Sequence, residues 1–254
     1  MSILFSELRS PQIKAAAEAG AVLVLPVGQT EAHGPHLPVN TSTLIIQRVC
    51  HAAVKSLSGK PPALLLDPVT YGYSPKTFKA WPGTFVVPQE TLIETLKHLA
   101  ISAADMGFRK FAIVSGHGDH DGVVRVAARS VADECGMGPG ILFPFALVAD
   151  VLREHSKSGP HGAGHAGEME TALLLQLAPH LVDMSAAAAD DRLKVTPSYF
   201  SNQAYVSMWT LQKSQSGTYG DPTAANAKLG RLLFDKMVAE TVKFIHYYHG
   251  LKQV

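Results

Sequence analysis

Ala21-Val22-Leu23-Val24-Leu25-Pro26-Val27 runs without a break into GQTEAHGPHLPVNTS, Gly28 to Ser42. A short, β-branched apolar run closed by glycine reads as a strand buried on both faces. Ala63 to Val69 and Lys110 to Ser115 read the same way. Between these runs the spacing predicts helices over Thr43 to Ser58 and over Gln89 to Met106, where Leu92, Leu96, Leu99 and Ala103 mark one face and Gly107 supplies the stop. Strands alternating with helices predict an α/β fold, a mostly parallel sheet covered on both sides.

Further along, Gly122 to Cys135 reads as a helix closed by Gly136, and Gly140 to Val148 as another apolar strand. Gly167 to Leu177 reads as a helix stopped by Pro179, and Asn226 to Tyr248 as a long final helix. Asp183 to Thr218 has weak periodicity and is expected to be irregular. Without repeats, linkers or a composition break, one domain over residues 1–254 is the simplest division.

Composition narrows the function. Of 254 residues, 46% are hydrophobic and 17% charged, which excludes disorder and allows a substantial core. The net charge of +1 and the lack of a Lys/Arg block give no footprint for nucleic acid or an acidic membrane surface, so a small-molecule partner is expected. Cys50 and Cys135 form no CxxC pair, which argues against disulfides and thiolate metal sites. The N-terminus lacks a basic region ahead of an apolar core, and no apolar run reaches the roughly 18 residues that span a bilayer; a cytoplasmic protein is expected. Neither GxGxxG nor GxxxxGK[ST] follows a strand.

Ligands of open α/β sheets sit beyond the carboxyl ends of the strands, and three polar clusters fall at or near such positions. The first is Glu31-Ala32-His33 with His36, where Gly34 and Pro35 restrict the backbone. Two ligand-type side chains close together can hold a metal ion, or can be the solvated polar groups of a capped loop. The second, Ser115-Gly116-His117-Gly118-Asp119-His120-Asp121-Gly122, sets four potential ligands among glycines directly after a strand. Asp119 or Asp121 capping the next helix is the plainer alternative. The third is His161-Gly162-Ala163-Gly164-His165-Ala166-Gly167-Glu168-Met169-Glu170-Thr171. If the helix starts near Gly167, Glu168 and His165 point to one locus and Glu170 faces elsewhere, one of the two glutamates merely complementing the helix dipole. Imidazoles and carboxylates without thiolate suit Zn, Mn or Fe(II), and a metal hydrolase is the leading class.

Five stretches resemble the creatininase family of metal-dependent amidohydrolases, in that family's order: Gly28 to Leu37, GYSPKTFKAWPGT (Gly72 to Thr84), GFRKFAIVSGHGD (Gly107 to Asp119), HAGEMET (His165 to Thr171) and GTYGDPTAANAKLG (Gly217 to Gly230). The resemblance implies a single three-layer α/β/α domain, a homo-oligomer that is commonly a hexamer, and a divalent metal centre at the C-terminal edge of the sheet. It implies hydrolysis of the C–N amide bond of a small polar molecule, often a cyclic amide or a formamide. By matching position Glu31, His33 and His117 correspond to metal ligands, Asp119 stands where creatininase itself has a glutamate, and Glu168 matches the motif glutamate of other members. His165 matches a histidine of substrate binding or proton transfer, so His165 or Glu168 moves the proton. Ser74 and Trp81 fall where the pocket is lined, Trp81 being equally readable as a core aromatic, and His120 is a further substrate-binding candidate.

The chain departs from the family at Thr41-Ser42, where the pattern has an aspartate bridging two ions. A hydroxyl is a poor bridge. The resemblance therefore leaves a site with one ion as the first expectation, then two ions bridged otherwise, then an empty centre in a member that binds or transforms a small molecule without hydrolysis.

Overall fold

The structure, a computed structural model, describes residues 2–159, 163–190 and 214–252. Four strands, β1 (Val22–Val27), β2 (Ala63–Leu65), β3 (Lys110–Ser115) and β4 (Gly140–Leu142), form one parallel sheet in the order β2-β1-β3-β4. The central pair runs in register from Val22 opposite Lys110 to Val27 opposite Ser115. Every residue of β1 and β3 is buried, which is why both read as unbroken apolar runs instead of alternating ones.

Helix α1 (Ser10–Glu18) precedes β1, α2 (Thr41–Ser56) links β1 to β2, α3 (Gln89–Asp105) links β2 to β3, and α4 (Asp121–Cys135) links β3 to β4. Leu23, Leu25, Val27, Phe111 and Ile113 face α3 and α4, sharing one core with Leu92, Leu96, Val124 and Val131. Their neighbours Val22, Val24, Ala112 and Val114 face the other way, onto α2 and the final helix, which contribute Ile46, Cys50 and Ile245. The period-2 geometry of a strand divides its side chains between these two cores. After β4 come a short helix, α5 (Ala149–His155), then α6 (Glu168–Leu177), and α7 (Ala227–Gly250) returns along the sheet. Leu173, Leu174, Leu229 and Leu233 pack α6 and α7 together with Ile45 and Val49 of α2 in a third apolar cluster. Among the described residues no helix is long and apolar enough to cross a membrane.

Two strand expectations are corrected. The run Gly140 to Val148 is a strand only through Leu142: β4 is an edge strand paired with β3 alone, and Pro144, whose fixed φ suits the first position of a helical turn, starts a 3-10 turn over Pro144–Leu147. Ala63 to Val69 is a strand through Leu65; the chain leaves the ladder before Asp67-Pro68, and Val69 meets Val27 by a single bridge. Of the expected irregular stretch Asp183 to Thr218, residues 191–213 lie outside the described residues. Gly107 (φ 95) and Gly136 (φ 74) end α3 and α4 in the left-handed conformation that glycine adopts without strain.

Strand order reverses between β1 and β3, since β1 connects outward to β2 and β3 connects outward to β4. The loops leaving these two strands diverge and open a crevice between them, the expected ligand position of an open parallel sheet. Two glycines at the strand exits let α2 reach that crevice: a Cβ on Gly28 would lie 2.3 Å from Thr43 Oγ1, and one on Gly116 would lie 2.7 Å from Ile46 Cβ.

Candidate metal centre

The loop after β1 is held by its own backbone and by the segment 70–85. Glu31 N–H donates to Val39 O at 3.0 Å, His33 pairs with Leu37, and Ala32 N–H donates to Thr84 Oγ1 at 3.0 Å. The buried Gln29 amide donates to Ser74 Oγ at 2.6 Å and to Phe85 O at 2.7 Å, while its own oxygen accepts from Gly72 N–H at 2.7 Å. Ser74 passes this order on, its hydroxyl donating to Glu31 Oε2 at 2.6 Å. Ser74, expected in the pocket wall, is fully buried and orients a carboxylate instead.

Glu31 is itself fully buried, and its second oxygen, Oε1, accepts no hydrogen bond. Two imidazole nitrogens face that oxygen, His117 Nδ1 at 3.3 Å and His165 Nδ1 at 3.5 Å. Glu31, His33 and His165 each present one donor atom, all within 4.8 Å of one another. Burial pushes the Glu31 carboxyl up to about 8 despite the opposing pull of His33 and Ser74. At His33 burial acts downward but the adjacent Glu170 carboxylate prevails and raises it to about 9. Burial lowers His165 to about 4. Burial thus disfavours charge at Glu31 and at His165, while the Glu170 carboxylate favours the protonated form of His33.

The third cluster is arranged opposite to expectation. Glu168, on the first turn of α6, turns away: its carboxylate accepts from Ser156 Oγ at 2.5 Å, from the N–H groups of Lys157 and Ser158 at 2.9 Å each, and from Ser158 Oγ. Glu170 is the residue that faces the centre. Its Oε1 lies 3.6 Å from His33 Nε2, and its Oε2 accepts from Ala166 N–H at 2.7 Å. Two residues apart on a helix means about 200° of rotation, so only one of the pair can point inward. Glu168, expected at the metal and in proton transfer, is thus bonded to the 156–158 loop, and Glu170 lies beside His33. Replacing Glu168 by Ala should cost about 2 kcal/mol, since it strands four donors of the 156–158 loop. Bound metal should be unchanged, and thermal melting with elemental analysis reads both.

The remaining expected residues divide. His117 and Asp119 lie together, Nε2 to Oδ2 at 3.7 Å, on the wall of a 250 Å³ cavity that also touches His165 and Glu170. Phe78, Phe145 and Met169 supply its apolar wall. His120 is fully buried behind His117, its ring 4.7 Å away and its Nε2 3.1 Å from Tyr73 O. Trp81 stands outside the cavity wall, edge-on to Phe78 at 5.9 Å and against Gly217. Ser42, buried, places its hydroxyl 3.4 Å from His33 Nε2. His36 belongs to the scaffold, bonded to Thr171 Oγ1 at 2.9 Å. Gln29, Phe78 and Glu170 are the contributors that sequence reading passed over. A hollow of about 450 Å³ at the opposite sheet edge, beside Ala21 and Ala63, contains none of this chemistry.

The family model for creatininase, described as creatinine amidohydrolase, matches residues 6–245. The chain belongs to the creatininase family. It is similar to a mycofactocin precursor peptide peptidase of Mycobacterium ulcerans, 32% identical over 232 residues that cover 88% of this chain and 84% of the relative. It is also similar to the creatinine amidohydrolase of Pseudomonas putida, 26% identical with 93% and 94% of the two chains covered. A 3-dehydro-scyllo-inosose hydrolase of Thermotoga maritima is 27% identical over 71% of this chain and 58% of its own length. A crystal structure of creatinine amidohydrolase superposes with a TM-score of 0.86 at 24% identity over 99% of each chain. A structure named "Creatininase Mn" gives a TM-score of 0.84 at 23% identity over 99% of this chain and 100% of that one. The chain is accordingly a hydrolase of the creatininase family, with its donor cluster at the C-terminal edge of the family's parallel sheet.

Proposed function

We propose that this enzyme hydrolyses a C–N amide bond, cyclic or a formamide, of a small polar molecule, using a single divalent ion of Zn, Mn or Fe(II). One observation carries the reading: a fully buried carboxylate oxygen, Glu31 Oε1, has no hydrogen-bond donor and is faced by imidazole nitrogens. Such an atom is expensive to bury unless a cation satisfies it. Oxygen and nitrogen donors of this kind fit the proposed ions. Two of the relatives have names, creatinine amidohydrolase and mycofactocin precursor peptide peptidase, that denote amide cleavage.

Glu31 and His33 would hold the ion, with His117 and Asp119 completing its surroundings from the other loop. A divalent ion in such a place supplies a Lewis acid that polarises a carbonyl and acidifies a water. Ser74 and the Glu31 carbonyl fix the two principal side chains, the carbonyl lying 2.9 Å from His33 Nδ1. Glu170 takes the role that resemblance gave to Glu168: a carboxylate at the cavity wall, able to accept a proton from water and return it to the leaving nitrogen. Phe78, Phe145 and Met169 keep bulk water from the reacting bond.

The test follows amine release from small lactams and N-formyl amines by protein loaded with each ion and by the same protein after chelation. Activity should vanish with the metal and return with it; turnover indifferent to complete metal removal would refute the reading. Ser42 supports one second reading, a family member that binds or transforms a small molecule without hydrolysing it. Ser42→Asp, assayed for metal content and for amine release, should separate the two, hydrolysis that appears only in the variant favouring the second reading. A carboxylate at the position whose hydroxyl now lies 3.4 Å from His33 Nε2 adds a strong donor, and elemental analysis should find a second equivalent of metal. An unchanged metal content would show that residue 42 does not limit the site.

A further inference from the structure

We infer that His165 is itself a metal ligand, the third point of a set with Glu31 and His33, and not the proton carrier that its place in the HAG motif suggests. The inference rests on the metal-centre reading above and assigns a side chain to it.

The tautomer of His165 is fixed by its surroundings. Its Nε2 lies 2.8 Å from the carbonyl oxygen of Ala32, an atom that only accepts, so Nε2 carries the hydrogen and Nδ1 is left with its lone pair. That lone pair looks at Glu31 Oε1, another acceptor, 3.5 Å away. With Glu31 ionised these are two facing acceptors with no donor between them, an arrangement that a cation close to both relieves. Donor atoms around a tetrahedral ion with bonds of about 2.1 Å are separated by about 3.4 Å, the same spacing. His33 repeats the pattern: Nδ1 sits 2.9 Å from the Glu31 carbonyl, leaving Nε2 to look inward. Imidazoles whose outer nitrogen is pinned by a main-chain carbonyl are how proteins aim histidines at ions.

The backbone invests in this ring position. Ala166, directly after His165, has φ +52, a conformation that costs a non-glycine residue on the order of 1 kcal/mol. Glu170 Oε2 accepts the N–H of that same residue, and Tyr219 N–H donates to His165 O at 2.8 Å. Phe78 closes on the ring edge-to-face at 4.9 Å, and the His33 ring lies at 4.2 Å. His165 touches the cavity, but its ring is held between Ala32 O, Phe78 and His33 with its free nitrogen turned toward Glu31. With Ser42 offering only a neutral hydroxyl beside His33, an imidazole from the α6 side supplies the third strong donor.

The experiment uses the full chain stripped of metal, titrated with Co²⁺ against a chromogenic chelator while the visible d–d absorption is recorded. His165→Ala should weaken Co²⁺ binding by about 100-fold or more and shift the d–d band, and added imidazole should restore both. Circular dichroism and melting establish that the variant is folded; His165→Gln, which fills most of the same space, stands in where the alanine variant is not. Affinity and spectrum within about twofold of the parent in a folded variant would overturn the inference and leave the metal-centre reading intact. Loss that imidazole does not repair in a folded alanine variant would also overturn it, assigning His165 a packing role. Failure of the parent protein to bind Co²⁺ would overturn both.

Discussion

Glu31→Gln is expected to reduce metal affinity by on the order of 100-fold and to remove hydrolysis, while the metal-free protein melts no lower than the parent. The first effect follows from the site. A structural zinc ion held by a handful of donors is bound with about 10–16 kcal/mol, so one charged donor is worth roughly 3 kcal/mol. The second follows from burial. Glu31 is fully enclosed, its carboxyl pushed up to about 8 by that burial, and Oε1 has no donor. A neutral amide of the same shape keeps the contact with Ser74 and removes a buried group that ionises at a cost. Function and stability should therefore move apart, as they do where a site is built at the expense of the fold. Competition with a chelator and thermal melting in the chelated state measure the two effects; a variant that melts well below the parent would mean that Glu31 serves the scaffold and not an ion.

The fold was legible because its signals are local. β1 and β3 are buried on both sides, and such strands appear as short apolar runs whatever packs on them. Gly107 and Gly136 mark helix ends because left-handed backbone is a property of one residue. The run Gly140 to Val148 misled for a reason equally local, the 3-10 turn that Pro144 starts with its fixed φ, which hydrophobicity does not register. The site was legible as loops but not as side chains. Glu31, His33 and His117 come from loops that must leave the sheet at its C-terminal edge, and the two glycine-bearing exits point them into the same crevice. Glu168 and Glu170 could not be told apart in advance, because the choice depends on which side of α6 meets α7 and α2, and α6 is apolar on nearly every side. Ser74 and Trp81 lie within the right segment, yet Ser74 touches a carboxylate from behind and Trp81 backs Phe78. Such one-layer displacements depend on packing between distant segments, which no spacing along the chain records.

Gly230→Ala shows how far the site depends on that packing. Gly230 lies in the first turn of α7 against α6, and a Cβ there would come within 1.9 Å of Ala172 O, 2.5 Å of Ala172 C and 3.0 Å of Gln176 Cβ. The obstacle is main chain, so no side-chain rotation relieves it; the two helices must separate by more than 1 Å along a seam that Leu173, Leu174, Leu229 and Leu233 now close. Overpacking of this kind costs about 3 kcal/mol, and the melting temperature should fall by roughly 10 °C in a domain of this size. The consequence reaches the centre because α6 is its far wall. Glu170 sits two residues before Ala172, holds Ala166 by its N–H and faces His33 at 3.6 Å. A shift of α6 by 1 Å takes that carboxylate and the ring of His165 out of place together, and misplacement on this scale costs catalysis on the order of 100-fold. Melting and turnover should thus fall together in Gly230→Ala, in contrast to Glu31→Gln, where turnover falls alone. If turnover persists in the destabilised variant, α6 does not set the geometry of the reacting groups, and the centre is held by the loops after β1 and β3 without it.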